Sequence, residues 1–279
     1  MITSAELTAF GLTAFAGLAT GVGSLIALWA GKTSTKFLSA SLGFSAGVMI
    51  YVSLVEIFQK ARHALAIPFG ERGGSWAAVG GFFLGVGLIA LIDRLIPESI
   101  NPHEAHTKEE VAAHETVPPG TNTLKHKDQK KLLRMGMFTA LAVGIHNFPE
   151  GLATFLAALR EPSLGIAIAV AIAIHNIPEG ISVAVPVYYA TGSKKRAFWY
   201  SFASGLAEPV GVLVGYTILK PFMGDTLFGI LFAAVAGIMV YISLDELLPS
   251  AREYGEHHIA IGGLFAGMAV MAVSLLLFM

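Results

Sequence analysis

The chain has 279 residues, of which 54% are hydrophobic and only 13% are charged, and its formal net charge is −1 at pH 7. A soluble domain carries about 25% charged residues, so this composition excludes an ordinary water-soluble fold. The nearly balanced charge gives no global field for binding nucleic acid. Because cysteine is absent, disulfides and thiolate metal sites are excluded, and any bound metal must be held by nitrogen, oxygen or thioether sulfur.

Apolar stretches long enough to cross about 30 Å of hydrocarbon recur along the chain and predict eight transmembrane helices. In chain order these helices cover residues 7–30, 37–58, 76–96, 135–159, 164–189, 198–219, 227–248 and 259–278. A helix satisfies its own backbone hydrogen bonds in lipid, whereas open loops and sheet edges do not. The sequence therefore predicts an all-α integral membrane protein in which residues 1–279 form a single transmembrane domain.

Lysine and arginine are distributed unevenly among the predicted loops, and this sets the expected orientation. The loops after helices 1, 3, 5 and 7 carry 13 of these residues, counting Arg94 at the end of predicted helix 3, against 5 in the loops after helices 2, 4 and 6. The positive-inside rule then places both termini outside the cytoplasm. Residues 97–131 are hydrophilic and rich in Pro, Glu, Lys and Thr, which predicts a flexible cytoplasmic loop.

Two pairs of segments within the chain resemble each other. AGVMIYVSLVEIFQKAR at 46–62 aligns without gaps to AGIMVYISLDELLPSAR at 236–252, and HNFPEG at 146–151 matches HNIPEG at 175–180. In the predicted topology the two members of each pair run in opposite directions. This pattern is typical of secondary transporters and predicts an inverted repeat, helices 1–3 and 6–8, around central helices 4 and 5.

The duplicated HNxPEG motif places metal-binding side chains deep in the predicted membrane region. His146 and Glu150 are four residues apart, as are His175 and Glu179, so each pair projects from one face of its helix. An ionised carboxylate at mid-membrane costs about 2.5 to 3.5 kcal/mol or more, and Glu208 on predicted helix 6 adds a third. A bound divalent cation is the simplest compensation.

A proline inside each motif extends the set of candidate ligands. Pro149 and Pro178 remove a backbone hydrogen bond and kink their helices, which exposes backbone oxygen at that depth. The kink also lets Asn147 and Asn176 face the cavity that the neighbouring histidines and glutamates line. The candidate metal-binding residues are therefore His146, Asn147, Glu150, His175, Asn176, Glu179 and Glu208.

Simpler structural roles compete with these interpretations. A single His or Glu in an apolar helix more often makes a local hydrogen bond, and it is the duplication of six residues that favours a functional site. For Met49, core packing is favoured by the residue type, with metal contact as the alternative. Glu56, Asp245 and Glu246 lie near predicted helix ends, where a solvated or capping role is as well supported as a role in transport.

The order of these motifs resembles the ZIP (Zrt-, Irt-like protein) family of divalent metal transporters, and most closely its bacterial zinc transporters. The similarity runs nearly from end to end. Its clearest segments are HNFPEGLATF at 146–155, HNIPEG at 175–180, ATGSKKRA at 190–197, SGLAE at 204–208 and AAVAGIMVYISLDELLP at 233–249.

The resemblance implies uptake of zinc into the cytoplasm across the bacterial plasma (inner) membrane, by a protein with external termini that forms a homodimer. It also implies a binuclear centre in which Glu150 and Glu179 bridge two ions. One ion would be held by His146, Glu150, His175 and Glu179 with Met49 as an outer contact, and the other by Asn147, Glu150, Asn176, Glu179 and Glu208. No catalytic cofactor is expected, and Zn²⁺ and Fe²⁺ would be bound as transported ions.

The ligand types indicate which metals the site would bind, and two other functions could use the same ligands. Nitrogen and oxygen ligands suit Zn²⁺, Fe²⁺, Mn²⁺, Co²⁺ or Cd²⁺ better than cuprous ion. The rivals are an intramembrane metalloenzyme, which would use the same ligands catalytically, and a metal sensor that binds without translocation. HExxH and ExxH motifs are absent, and so is a cytoplasmic output domain, so transport is preferred to both.

Overall fold

The computed structural model describes residues 3–30, 35–95, 126–222, 224–254 and 257–277. All regular secondary structure within these ranges is helical, which confirms the predicted all-α class. Most of the predicted cytoplasmic loop, residues 97–125, lies outside the described residues.

Long helices account for most of the described chain. Their bounds are Ser4–Ala30 (α1), Thr35–Tyr51 (α2), Phe58–Leu95 (α3), His126–Arg160 (α4), Pro162–Thr191 (α5), Lys194–Gly205 (α6), Asp225–Ile242 (α7) and His257–Leu277 (α8). Shorter helical segments continue α6 and α7, namely Ala207–Gly211, Val212–Tyr216, Thr217–Leu219, Lys220–Phe222, Ser243–Leu247 and Leu248–Tyr254.

Six helical stretches among the described residues are long and apolar enough to cross a membrane: Ser4–Trp29, Lys36–Arg94, Pro162–Thr191, Lys194–Phe222, Asp225–Arg252 and His257–Leu277. Five of them coincide with predicted helices 1, 5, 6, 7 and 8. The 59-residue stretch Lys36–Arg94 contains both predicted helix 2 and predicted helix 3. The chain is therefore a helical, multi-pass membrane protein, and the number of eight spans stays a prediction.

The long stretch is divided by a local break in the backbone. Gly70 has φ 70° and ψ 166°, so it lies in a region that residues with a Cβ rarely adopt, and two helical pieces meet there. Helical structure therefore covers residues 59–75, which the hydropathy pattern leaves between predicted helices 2 and 3. Polar and small residues in this part of the chain hide the continuation of the helix from a hydropathy argument.

Predicted helix 4 lies within α4, which starts nine residues earlier than the apolar pattern indicates. This helix is not among the six stretches, and the polar HNFPEG segment contributes to its low mean hydropathy. Polar side chains within a helix thus weaken the signal by which a transmembrane helix is recognised.

Three helices are interrupted by π-helical turns. These are Val52–Ile57 between α2 and α3, Val212–Tyr216 in the continuation of α6, and Ser243–Leu247 after α7. The first and third occupy matching positions in the repeated segments 46–62 and 236–252. Because π-turns are rare and cluster at functional sites, their occurrence in both copies indicates that the copies share backbone geometry as well as sequence.

The helices pack in two groups around the motifs. α3 packs along α7 and α2 along α8, whereas α1 packs along α5, and α4 contacts both α5 and the Ala207–Gly211 segment. Where α1 crosses the end of α6, Gly17 and Gly205 face each other. A Cβ on Gly17 would lie 2.4 Å from the Gly205 oxygen, and a Cβ on Gly205 would lie 2.3 Å from the Gly17 oxygen. Only glycine permits this approach.

Candidate metal centre

The candidate ligands all lie in the interior of the helix bundle. Each is between 0% and 3% exposed, although every one has a polar or ionisable side chain: His146, Asn147, Glu150, His175, Asn176, Glu179 and Glu208. They come from the middle of α4, the middle of α5 and the Ala207–Gly211 segment. Burial of this many polar groups is expensive unless they are paired or hold an ion.

Each histidine of one motif meets the glutamate of the other motif. His146 Nε2 lies 3.5 Å from Glu179 Oε1, and His175 Nε2 lies 3.3 Å from Glu150 Oε1. His175 Nε2 is also 3.9 Å from Glu179 Oε1 in its own motif. The structure thus brings the four side chains together, in a reciprocal arrangement that neither motif could form alone.

These separations can be compared with those of a metal site. Two nitrogen or oxygen ligands about 2.0 to 2.1 Å from one tetrahedral zinc lie roughly 3.3 Å apart, close to the two reciprocal His–Glu distances. Within the described residues, however, no three His, Asp or Glu side chains already form a cluster that could hold a metal ion. The imidazoles and carboxylates lie within ion-pair distance of each other in this arrangement.

Both asparagine side chains are anchored through their nitrogen atoms. Asn176 Nδ2 donates to the Ala16 carbonyl at 2.9 Å and also to Glu208 Oε1. Asn147 Nδ2 donates to the Ser204 carbonyl at 3.3 Å. Since the amide nitrogens are occupied, the oxygens are the atoms left to accept a hydrogen bond or bind a cation.

Many of the oxygens in this centre accept no hydrogen bond from the described residues. The oxygens without a hydrogen bond are both carboxylate oxygens of Glu150 and Glu179, one carboxylate oxygen of Glu208, and the amide oxygens of Asn147 and Asn176. Buried acceptors without donors are uncommon in native structures and call for an explanation such as an ion or water. The cluster as a whole has the electrostatic character of a cation site.

Met49 is fully buried on α2 within the hydrophobic core, as both of its predicted roles require. One turn earlier on the same helix, Ser45 Oγ donates to the His175 carbonyl at 3.5 Å. This contact puts the face of α2 that carries Ser45 beside the second motif. Metal contact by Met49 stays a prediction.

Glu246 lies closer to the centre than its position in the sequence suggests. It is 6% exposed, and its Oε2 is 3.9 Å from His146 Nδ1. The sequence favours a capping or solvated role as readily as a transport role, because Glu246 lies near the end of predicted helix 7. The signal for a buried role is its place in the repeat, where it corresponds to Glu56.

A third internal repeat is present in the chain, and it is too short to stand out from the sequence alone. GLATGVG at 17–23 in α1 matches GLAEPVG at 205–211, with five of seven residues identical and Thr20 in the place of Glu208. The match is short, and only the structure makes it convincing, because the two copies make corresponding contacts with the two motifs.

Three pairs of contacts follow this correspondence. Ala16 accepts from Asn176 where its counterpart Ser204 accepts from Asn147. Gly23 approaches the carbonyl of Ile177 as Gly211 approaches that of Phe148. The third pair consists of two hydroxyl donors: Thr13 Oγ1 to the Gly151 carbonyl at 3.5 Å and Ser201 Oγ to the Gly180 carbonyl at 3.0 Å.

Comparison with known proteins gives a consistent result. A sequence model of the family described as "ZIP Zinc transporter" matches residues 96–275. The chain is 62% identical over 273 residues to "Zinc transporter ZupT" of Nitratidesulfovibrio vulgaris, covering 98% of both chains. It is 60% identical over 274 residues to the protein of the same name from Clostridium perfringens, covering 98% of this chain and 96% of the relative.

A third relative, "Zinc transporter ZupT" of Lysinibacillus sphaericus, is 60% identical over 271 residues, or 97% of each chain. These relatives are transporters, which confirms the prediction that the chain is not an enzyme and removes the intramembrane metalloenzyme from the alternatives. The matches span nearly the whole chain and include both HNxPEG motifs. The chain belongs to the ZIP zinc transporter family.

Proposed function

We propose that this protein carries Zn²⁺ across a bilayer into the cytoplasm through the centre formed by the two HNxPEG motifs and Glu208. The observation that supports this most is the reciprocal pairing of His146 with Glu179 and of His175 with Glu150 in the interior of the bundle. The curated relatives are named zinc transporters. Imidazole and carboxylate are ordinary zinc ligands, and this set contains no thiolate that would retain the ion tightly.

Transport into liposomes tests the proposal. The purified chain is reconstituted with a zinc-sensitive dye inside, and zinc is added outside. We expect wild type to admit zinc and Glu150→Ala to lose most of that uptake, since the Glu150 carboxylate is buried and accepts no hydrogen bond from the described residues. Glu71→Ala is the matched control, because Glu71 is exposed on α3 and its loss leaves the centre intact.

The same assay separates transport from sensing. A sensor would bind zinc without moving it, so the dye would stay dark for wild type and Glu150→Ala alike. Equal uptake by wild type and Glu150→Ala would instead mean that zinc crosses by a route outside this centre.

We propose further that the centre holds two ions. Glu150 and Glu179 would bridge them, with the histidines completing one ligand set and Asn147, Asn176 and Glu208 the other. The large number of buried oxygens without donors supports this, because one four-coordinate ion would satisfy only part of them. Measuring bound zinc by mass spectrometry should give two ions per chain for wild type and one for Glu208→Ala.

The same ligands should admit other divalent ions of similar size and softness. Fe²⁺, Mn²⁺, Co²⁺ and Cd²⁺ all accept nitrogen and oxygen donors, so we expect them to compete with zinc for uptake. An excess of Mg²⁺ should compete poorly, because it prefers oxygen ligands and gives up its waters reluctantly.

We propose that the protein has eight spans arranged as an inverted repeat around α4 and α5, with both termini outside the cytoplasm. Three pairs of similar segments, the corresponding π-turns and the paired contacts of α1 and the α6 region support this architecture. It suits a carrier, since two similar halves can alternate about a central site. Residence in the bacterial inner membrane and the homodimer are parts of this proposal that the family resemblance supports.

A further inference from the structure

Thr20 stands out among the hydroxyl side chains of α1. It is fully buried, and its Oγ1 has no hydrogen-bond partner among the described residues. Threonine in a helix usually donates to the carbonyl four residues earlier, as Thr13 does to Ala9 at 3.1 Å. For Thr20 that carbonyl belongs to Ala16, which already accepts from Asn176. The metal motif thus occupies the local partner that Thr20 would otherwise use.

The position of Thr20 mirrors that of Glu208. A Cβ on Gly205 would lie 2.8 Å from Thr20 Cβ, and a Cβ on Gly17 would lie 3.4 Å from Glu208 Cβ. The two backbones also approach corresponding glycines of the motifs. The backbone carbonyl oxygen of Thr20 would lie 1.9 Å from a Cβ on Gly180. The backbone carbonyl oxygen of Glu208 would lie 2.4 Å from a Cβ on Gly151.

This correspondence predicts what the Thr20 hydroxyl faces. Glu208 accepts from the Asn176 side chain, and the repeat relates that pair to Thr20 and Asn147. Asn147 Oδ1 is also buried and also lacks a partner. The side chain of threonine is shorter than that of glutamate. Thr20 Oγ1 and Asn147 Oδ1 would therefore be separated by a gap, whereas the corresponding Glu208 Oε1 and Asn176 Nδ2 are in contact. Two such polar groups together suit a bridging water.

We propose that Thr20 is a positioning residue of the metal centre: it holds a water that orients Asn147 Oδ1, and this oxygen keeps its second lone pair for the transported ion. This inference rests on the proposed function. The water would donate one hydrogen bond to Asn147 Oδ1 and make another with the Thr20 hydroxyl. On the opposite side Glu208 supplies a carboxylate, so one charged and one neutral oxygen ligand flank the bridging glutamates.

The choice of threonine keeps the charge of the centre low. A glutamate at position 20 would add a carboxylate to those of Glu150, Glu179 and Glu208 and reproduce the side that carries Glu208. We expect Thr20→Glu to bind zinc more tightly than wild type and to release it into liposomes more slowly. A neutral hydroxyl with an exchangeable water favours release.

The test measures zinc affinity of the purified full chain by competition with a fluorescent chelator. Thr20→Val removes the hydroxyl at nearly constant volume and should weaken zinc binding roughly tenfold, as loss of an outer hydrogen-bond partner does at other metal sites. Thr20→Ser keeps the hydroxyl and should restore the affinity of wild type. Ser39→Ala is the control, because Ser39 Oγ joins α2 to the Ala251 carbonyl, away from the motifs.

Glu208→Ala is measured alongside to separate two kinds of failure. Weaker binding by Thr20→Val and Glu208→Ala, with rescue by Thr20→Ser, supports the role of Thr20. Unchanged binding by Thr20→Val while Glu208→Ala binds weakly overturns that role alone. Weakening by Thr20→Val and Thr20→Ser alike overturns it too, since packing would then be the cause. If neither Thr20→Val nor Glu208→Ala alters zinc binding, the proposed centre and the role of Thr20 both fail.

Discussion

At the scale of single residues, the two asparagines of the motifs have unequal surroundings. Asn176 donates to a backbone carbonyl and to the Glu208 carboxylate, whereas Asn147 donates to a backbone carbonyl only. The repeat gives Asn147 a neutral counterpart, Thr20, in place of Glu208. Equivalent substitutions at the two asparagines should therefore have different consequences.

We predict that Asn176→Asp lowers the thermal stability of the metal-free protein more than Asn147→Asp does. Either change removes a buried donor, at about 1 to 3 kcal/mol, but only the first places a carboxylate beside Glu208. Zinc should recover more stability in Asn176→Asp, because a cation relieves the added repulsion. Melting temperatures with and without zinc check this, and equal losses for the two variants would contradict it.

A second prediction concerns the glycine that ends the second motif. A Cβ at Gly180 would lie 1.9 Å from the Thr20 carbonyl oxygen, so Gly180→Ala must push α1 and α5 apart. We expect a loss of about 1 to 3 kcal/mol, or failure to fold.

Gly11→Ala serves as the control for this prediction. No atom lies within 4 Å of a Cβ at Gly11, and alanine is the better helix former by about 1 kcal/mol. Thermal unfolding in detergent should place the two variants on opposite sides of wild type. A Gly180→Ala variant as stable as wild type would show that the helices can separate at little cost.

Individual residues differ in how far the sequence could predict them. The histidines and glutamates of the motifs are recognisable because polar groups in apolar helices need a reason, and the duplication supplies one. Thr20 and Glu246 carry a weaker signal, although each lies in a repeated segment. A threonine is ordinary in a membrane helix, and Glu246 sits near the end of an apolar run, so their contacts with other helices are needed to single them out.

At the scale of elements, the π-turns interrupt helices in both copies of the repeat. Wider turns leave the backbone hydrogen bonds less regular than in an α-helix, so local opening should be easier there. We predict that amides in Val52–Ile57 and Ser243–Leu247 exchange with deuterium faster than those in Thr35–Tyr51 and Asp225–Ile242. Mass spectrometry of the exchanged protein measures this, and uniform protection along these helices would refute it.

The sequence predicts the elements more reliably than their interruptions. Hydropathy places most of the long helices because a membrane span needs about 20 apolar residues. The break at Gly70 and the π-turns depend on local backbone geometry, to which hydropathy is insensitive. Hydropathy also undervalues α4, since the polar groups that bind cargo in our proposal reduce its apolar character.

At the scale of the whole molecule, orientation is a prediction that the absence of cysteine makes easy to test. Ser163 lies exposed at the start of α5 and Lys195 exposed at the start of α6, so they mark opposite ends of one helix. With both termini outside, Ser163→Cys should react in intact cells with a membrane-impermeant maleimide, and Lys195→Cys should react only after permeabilisation. The opposite labelling pattern would reverse the proposed orientation and the direction of uptake.

The helical, multi-pass architecture is predictable here because its cause, the apolar composition of the helices, is distributed over many residues. The loop charges and repeated segments on which our proposals of orientation and inversion depend are distributed in the same way, so they survive changes at single positions. The arrangement of the two helix groups is less accessible, because it depends on which small residues meet which carbonyls across the bundle.

The contact between Gly17 and Gly205 limits how the sequence of this chain can drift. Each is the repeat counterpart of the other, so here a position meets its own copy, as at the axis of a symmetric dimer. The two glycines share one space, so a methyl group added at either position would collide with the backbone of the other. Neither member of the pair is therefore free to diverge from glycine while this contact is kept.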